Sequence, residues 1–453
     1  MIERYTTREM GSLWSERKKK SLWVLVEIAV LWAKAIKLGI IPQEVYKDAC
    51  NALNYKLGSN KPFLLPIKDL KRADQLEKIS DHDLMALILA VAERLPKSVQ
   101  PYWHDGLTSY CNEDTALAIQ MVESLKLIIA KAKHFRQVLI EKAKEHKESL
   151  MIGRTHAIHA EPITFALKLL RWVDAIDFHL NQLNECLDIV GIGKISGAVG
   201  AYTLDPVIER WACHFLDLKP AKISSQIIGR HIHLHYMQTL VKVANTLDMI
   251  AVNIRTLSRT EIREVREYKK PGAHGSSAMP GKTHLKNPIK FENISGLAKE
   301  MRGWLFAALE CELLWDERSL DNSSAERIHL PDASECLDFM LKRIADAMEK
   351  LEVYPKIMRK NIDLTGGIVF ASQVLKALTE KGMDRREAYE LLEDLATKTS
   401  IEDFKTSKGE TFEQLVRKNR KIMKLVLWVR IDGCFDPDSC LENIQAVYER
   451  FGI

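Results

Sequence analysis

No two of the eight cysteines in this 453-residue chain form a C-x-x-C pair. Cys50, Cys111, Cys186, Cys213, Cys311, Cys336, Cys434 and Cys440 are scattered, and no leader pattern is present. Reduced thiols in a cytoplasm are therefore expected. Long hydrophobic runs are missing too. The most apolar N-terminal run, "LWVLVEIAVLW" at 22–32, contains Glu27 and is too short to span a bilayer, so it reads as a packed helix. The formal charge of +5 permits an anionic substrate but carries no concentrated basic stripe, and no nucleic-acid motif accompanies it. There is no internal repeat or low-complexity tract. Strand signals are few, with "ISGAVGAY" at 195–202 the single short β-like piece. Hydrophobic content of 46% and charged content of 28% are those of an ordinary globular protein.

Proline is absent between Pro101 and Pro162, and apolar periodicity fills the gap. Leu117, Met121, Leu125, Ile128, Ala132, Phe135 and Leu139 recur at steps of three and four, which puts one stripe along a helix. Leu240, Ala244, Leu247, Ala251, Ile254 and Leu257 do the same within 231–268, and 164–190 and 289–314 behave similarly. Helices of 25–30 residues are roughly 40 Å long and exceed the usual mean, so a bundle of rods is the natural arrangement. The expectation is an all-α protein in three parts. A helical N-terminal domain covers 1–108, a long-helix bundle 109–354 with a loop at 270–292, and shorter helices 355–453.

Four stretches are dense in polar groups yet embedded among apolar helices: "SDHDLMA" (80–86), "WHDGLTS" (103–109), "GRTHAIHAEPITF" (153–165) and "GSSAMPGKTHLKNP" (275–288). Each alone has an ordinary reading. Thr108 and Ser109 suit a helix cap, Arg154 and Glu161 an ion pair, and His82 or His104 a satisfied or surface histidine. "HIHLH" at 231–235 invites a metal. On a helix only His231 and His235 would share a face, and no carboxylate or cysteine at ligand spacing completes a site. Structural or surface histidines fit better.

Together these stretches carry a resemblance. With "MIERY" (1–5), "GKISGAVGAY" (193–202), "SSAMPGK" (276–282) and "WDERSLDNSSAERI" (315–328), the chain resembles the adenylosuccinate lyase family of the fumarase/aspartase superfamily, nearly end to end. The resemblance implies a homotetramer whose long-helix bundles form the core and whose sites are shared between chains. It implies β-elimination of fumarate from a succinyl-amine nucleotide in purine synthesis, without metal or organic cofactor. Ser277 would be the base and His156 the acid, with Lys282 supplying positive charge and Glu292 supporting the lysine. His82 and His104 match further active-site histidines, with Asp83 beside the first. Thr108 and Ser109 match substrate-carboxylate contacts, Gln226 and Asn287 further substrate contacts. Arg4, Tyr5, Arg318, Ser323 and Arg327 match the phosphate and ribose end, where bidentate arginine suits a phosphomonoester. A serine is a poor base at its free pKa, so loop closure must desolvate it near charge.

The chain also departs from that family. Gly281 stands for a histidine, and "THLK" (283–286) occupies the place of one residue, so Lys282 or Lys286 is the catalytic lysine; spacing from Ser277 favours Lys282. Asp81 replaces an arginine, Cys111 an aspartate, Gly229 a glutamine and Asp316 a histidine. Two alternatives follow: a fumarate-releasing lyase for a different succinyl-amine, or a non-catalytic nucleotide-binding paralogue.

Overall fold

The computed structural model describes residues 1–59, 63–272, 278–279, 287–399 and 409–453. Its residues group into two units, 1–133 with 178–248 and 294–343, and 134–177 with 249–293 and 344–453. The protein is mostly helical with little sheet.

The helices of the first half run α1 Arg8–Leu13, α2 Glu16–Trp32, α3 Gln43–Leu53, α4 Ile67–Ser80, α5 Asp83–Ala92, α6 Ser109–Glu145, α7 Phe165–Val190 and α8 Pro206–Phe215. They continue with α9 His231–Leu257, α10 Ile289–Glu310, α11 Asp321–Glu349 and α12 Pro355–Ile362. The expected long helices are present. α6 has 37 residues, or about 55 Å of rod. Met121, Leu125, Ile128, Ala132, Phe135 and Leu139 of its stripe are buried, as are all six named positions of α9. α9 stops at Leu257, well short of 268, and α10 at Glu310. No helix among the described residues is long and apolar enough to cross a membrane.

In the first unit, α2, α3, α5 and α8 enclose an apolar core that includes Leu25, Ile28, Leu87 and Ile208. Each such side chain contributes about 1.5–3 kcal/mol on burial. Glu27, the charge within the apolar run, is only 1% exposed. It is satisfied by three donors, the His104 backbone N–H (3.0 Å), the His104 ring Nδ1 (2.7 Å) and the Asn112 amide (2.8 Å).

Strands form where the sequence pattern signals none. β1 (Leu150–Thr155) and β2 (Ile158–Thr164) form an antiparallel hairpin in the second unit. His156 and Ala157 make its two-residue turn at φ 53° and 65°, the positive-φ pair that matches strand twist. "ISGAVGAY" is not a strand. Gly197 and Gly200 sit at φ 80° and 81°, and a Cβ on Gly200 would lie 2.0 Å from the Ser224 carbonyl oxygen. Glycine there permits close backbone approach. The second unit's shorter C-terminal helices, α13 Ala371–Glu380 and α14 Arg385–Lys398 among them, pack around Leu378, Leu392, Phe412 and Ile431.

Candidate active site

The chain between α4 and α5 turns within two residues. Asp81 ends α4 in the left-handed region at φ 51°, which short polar side chains tolerate better than most. His82 is extended and caps α5, its Nδ1 accepting from the Met85 N–H at 3.4 Å. Asp83 opens α5. This corner, the first turns of α6 and α11, and the segments holding Gln226 and Arg318 line a cavity of about 480 Å³ in the first unit. Seven residues named from the sequence meet there: His82, Asp83, Ser109, Gln226, Arg318, Ser323 and Arg327.

Arginine dominates the chemistry of that cavity. The Arg318 guanidinium lies 3.9 Å from the Tyr110 ring centroid, a cation–π distance, and its Nη1 donates to the Ser319 carbonyl. Its Nε and Nη2 are buried with no hydrogen-bond partner in the protein. Donors in that state favour a ligand with oxygen acceptors. The Tyr110 hydroxyl donates to the Ser323 Oγ at 2.9 Å, so the serine is held beside them. Arg327 is differently placed. Its Nη1 donates to Asp83 at 2.6 Å and its Nη2 to Glu113 at 3.2 Å. Burial opposes the Arg327 charge, but the hydrogen bond and charge of Asp83 outweigh it and raise its pKa. Burial likewise pushes Asp83 up, and the Arg327 hydrogen bond wins, leaving its carboxyl below the usual range.

Glu113 was not singled out by sequence. Its side chain is 11% exposed. Burial first, then the Asp83 charge, pushes its pKa up to about 7, against the opposing charge of Arg327. Spacing gave a partial clue, because Glu113 lies one turn after Ser109 on α6 and so shares its face.

Beneath the cavity lies a buried ionic network. Arg230 donates from Nη1 and Nη2 to the two Asp114 oxygens at 2.9 and 3.1 Å. Its Nε lies 3.0 Å from Glu326, an ion pair too bent for a hydrogen bond. Asp114 also accepts the Ile228 N–H at 2.7 Å, which ties down the segment carrying Gln226. Of the "HIHLH" histidines, the middle one is engaged: the His233 Nδ1 lies 2.7 Å from Glu326. Among the described residues no group of His, Cys, Asp and Glu is gathered as metal ligands.

Other named residues lie elsewhere. His104 is held by Glu27, and neither it nor Thr108 lines the cavity. Arg4 is exposed in a short 3₁₀ turn, and Tyr5 stacks edge-on against Phe339 at 5.5 Å. Cys111 is buried, and its thiol faces the buried Lys194, whose Nζ donates to the Gly197 and Gln226 carbonyls. In the second unit His156 is exposed at the hairpin tip, and Glu292 is exposed in the first turn of α10. Asn287 lies two residues before that helix begins. Ser277, Lys282, Lys286 and most of the loop lie outside the described residues. Arg154 pairs with Glu264 at 2.7 Å and not with Glu161, since Glu264 is buried and Glu161 exposed.

A lyase family model matches residues 3–303, and one for the adenylosuccinate lyase C-terminus matches 367–451. An adenylosuccinate lyase of Synechocystis sp. is 40% identical and one of Bacillus subtilis 38% identical, each over 100% of both chains. In fold the chain is similar to a fumarate lyase from Mesorhizobium sp. (TM-score 0.85, 23% identity, 99% of each chain). It is also similar to a β-carboxy-cis,cis-muconate cycloisomerase from Acinetobacter calcoaceticus (TM-score 0.82, 21% identity, 98% of this chain and 97% of the other). With full-length identity at this level, the chain belongs to the adenylosuccinate lyase family.

Proposed function

We propose that the protein cleaves adenylosuccinate to AMP and fumarate, and cleaves succinyl-aminoimidazole-carboxamide ribotide in the same way. The observation that carries this reading is the Arg318 guanidinium, whose Nε and Nη2 are buried without partners next to Ser323 and Arg327. A phosphomonoester offers the oxygens those donors lack. His82, Asp83, Ser109 and Gln226 share the same cavity.

The chemistry then assigns the remaining roles. The Cβ proton beside a carboxylate is weakly acidic, so its removal requires a base and a group that stabilises the developing aci-carboxylate. Ser277 is the base, activated by desolvation near Lys282, which Glu292 supports. His156 protonates the leaving nitrogen, and its position at a hairpin tip suits a group presented outward. Thr108, Ser109, Gln226 and Asn287 bind the succinyl portion, with His82 and His104 beside it. Arg4 and Tyr5 join the phosphate and ribose end.

The reaction requires no metal or organic cofactor. A homotetramer with sites shared between chains, built from domains bounded near 108 and 354, completes the proposal, in a cytoplasmic setting. Exposed apolar side chains along the long helices support association: Phe178, Val252, Phe306 and Leu309 are 44–65% exposed.

Loss of adenylosuccinate absorbance on adding purified protein tests the activity. Ser277→Ala and His156→Ala are each expected to lower kcat by roughly 10²–10⁴-fold. A folded protein with no turnover of either nucleotide overturns the reading. One observation favours a second reading, a different succinyl-amine substrate. Glu77, Asp81, Asp83 and Glu113 place four carboxyls around the cavity that holds the two arginines. Fumarate release from a panel of succinylated amines separates the two.

A further inference from the structure

Glu113 shares the cavity with Arg318 and Ser323, and its Oε2 takes the Nη2 donor of Arg327. Nη1 of the same guanidinium goes to Asp83, so the two carboxyls share one cation. We propose that Glu113 sets the affinity for the nucleotide phosphate by its protonation state. Neutral, it releases Arg327 Nη2 and offers its own O–H to a phosphate oxygen; ionised, it holds Arg327 and repels the phosphate. This rests on the nucleotide reading given above.

Three features of the surroundings make the carboxyl responsive. Its pKa is already pushed up to about 7, by burial first and then by Asp83. From α5 it faces Asp83; from α11, Arg327; from the segment before α11, Arg318; on its own helix, Asp114 and Tyr110. The cavity lip adds Glu77, Asp81 and His82, and the smaller cavity of about 90 Å³ on its other side adds Glu16, Lys19, Arg230 and Glu326. Acids outnumber bases around it, so a phosphate dianion arriving there favours the neutral form.

The test is calorimetric titration of AMP into full-length wild type and Glu113→Gln at pH 6 and pH 8. Because AMP itself ionises near the lower value, the readout is the ratio of the two affinities at each pH. A group near pH 7 is mostly neutral at pH 6 and mostly ionised at pH 8. Wild type is therefore expected to lose about tenfold in affinity relative to Glu113→Gln across the interval. AMP binding with a ratio unchanged between the two pH values overturns this proposal and leaves the nucleotide reading standing. No AMP binding by either protein at either pH overturns both. Should Glu113→Gln fail to fold, wild type alone decides. At pH 7.5, titration in two buffers of different protonation enthalpy is expected to show net proton uptake as Glu113 becomes neutral; a phosphate held by arginines would by itself release protons. Binding without uptake overturns the proposal.

Discussion

Glu113 and Glu326 both line the small cavity of the first unit, and both are largely withdrawn from water. Burial alone pushes each carboxyl up. At Glu326 the charges of His233 and Arg230 outweigh burial and hold it down at about 2. At Glu113 burial is reinforced by Asp83, and the single hydrogen-bonded arginine is shared, so it settles at about 7. The difference lies in the ratio of cations to anions within reach, and depth contributes little to it. One carboxyl is a permanent structural charge. The other is free to change charge at working pH, as groups at functional sites are.

Breaking the structural side should have the largest effect. Arg230→Met removes the guanidinium that bridges Asp114 and Glu326, leaving Asp114 without a cation and Glu326 with His233 alone. The expected loss is about 3–5 kcal/mol of stability, measured by urea unfolding. Substrate affinity should also fall, because Asp114 holds the Ile228 N–H and with it the Gln226 segment. A loss below 1 kcal/mol would mean the network is not structural.

The pH dependence of stability sharpens the contrast next. Glu326 has a folded pKa below its unfolded value. Its stabilisation is therefore present above about 4.5 and is lost as pH falls towards about 2. Glu113 has a folded pKa above its unfolded value, so its contribution is most favourable below about 4.5 and is lost as pH rises through about 7. Glu113→Gln should accordingly match wild type near pH 4.5 and exceed it at pH 8, by on the order of 2–3 kcal/mol. Unfolding curves at the two pH values decide it; a gain of equal size at both would trace to packing and not to charge.

The two arginines invite the same treatment. Arg318 keeps two donors unpartnered, whereas Arg327 spends its donors on carboxylates. Arg318→Met should raise KM by about ten- to a hundredfold, the worth of one charge-assisted hydrogen bond to the ligand. At pH 8, where Glu113 is ionised, Arg327→Met should cost less. Equal effects would mean that Arg327 is released on binding even then.

How far this was legible beforehand differs between rods and site. Steps of three and four made α6, α7, α9 and α10 readable, because one face of each buries apolar side chains whatever their partners. The β1–β2 hairpin was not readable. Its strands carry Arg154, His159 and Glu161, so polar groups obscure the alternation, while the glycines of "ISGAVGAY" imitated a strand and serve close approach instead. The cavity residues were named through family resemblance. Glu113 was missed because an acid on a helix looks like a solvated charge, and its partner Arg327 is 214 positions away. Arg154 was paired with the wrong acid for the same reason, since Glu264 is 110 positions away.

Asp81 gives the smallest effect and the cleanest division between backbone and charge. Its left-handed φ of 51° ends α4, while its carboxylate adds to the acidic lip of the cavity. Asn tolerates that conformation as Asp does, so Asp81→Asn keeps the corner and removes only the charge. Stability should change by less than about 0.5 kcal/mol. If the lip charge opposes the phosphate, AMP affinity should rise a few-fold at low salt, with the gain fading above about 0.1 M as screening shortens its reach. The same substitution placed on Glu113→Gln should add independently, since the lip is exposed and Glu113 is not. An affinity unchanged at low salt would mean that Asp81 is present for the turn alone, and that the acidity felt by the ligand comes from Asp83 and Glu113.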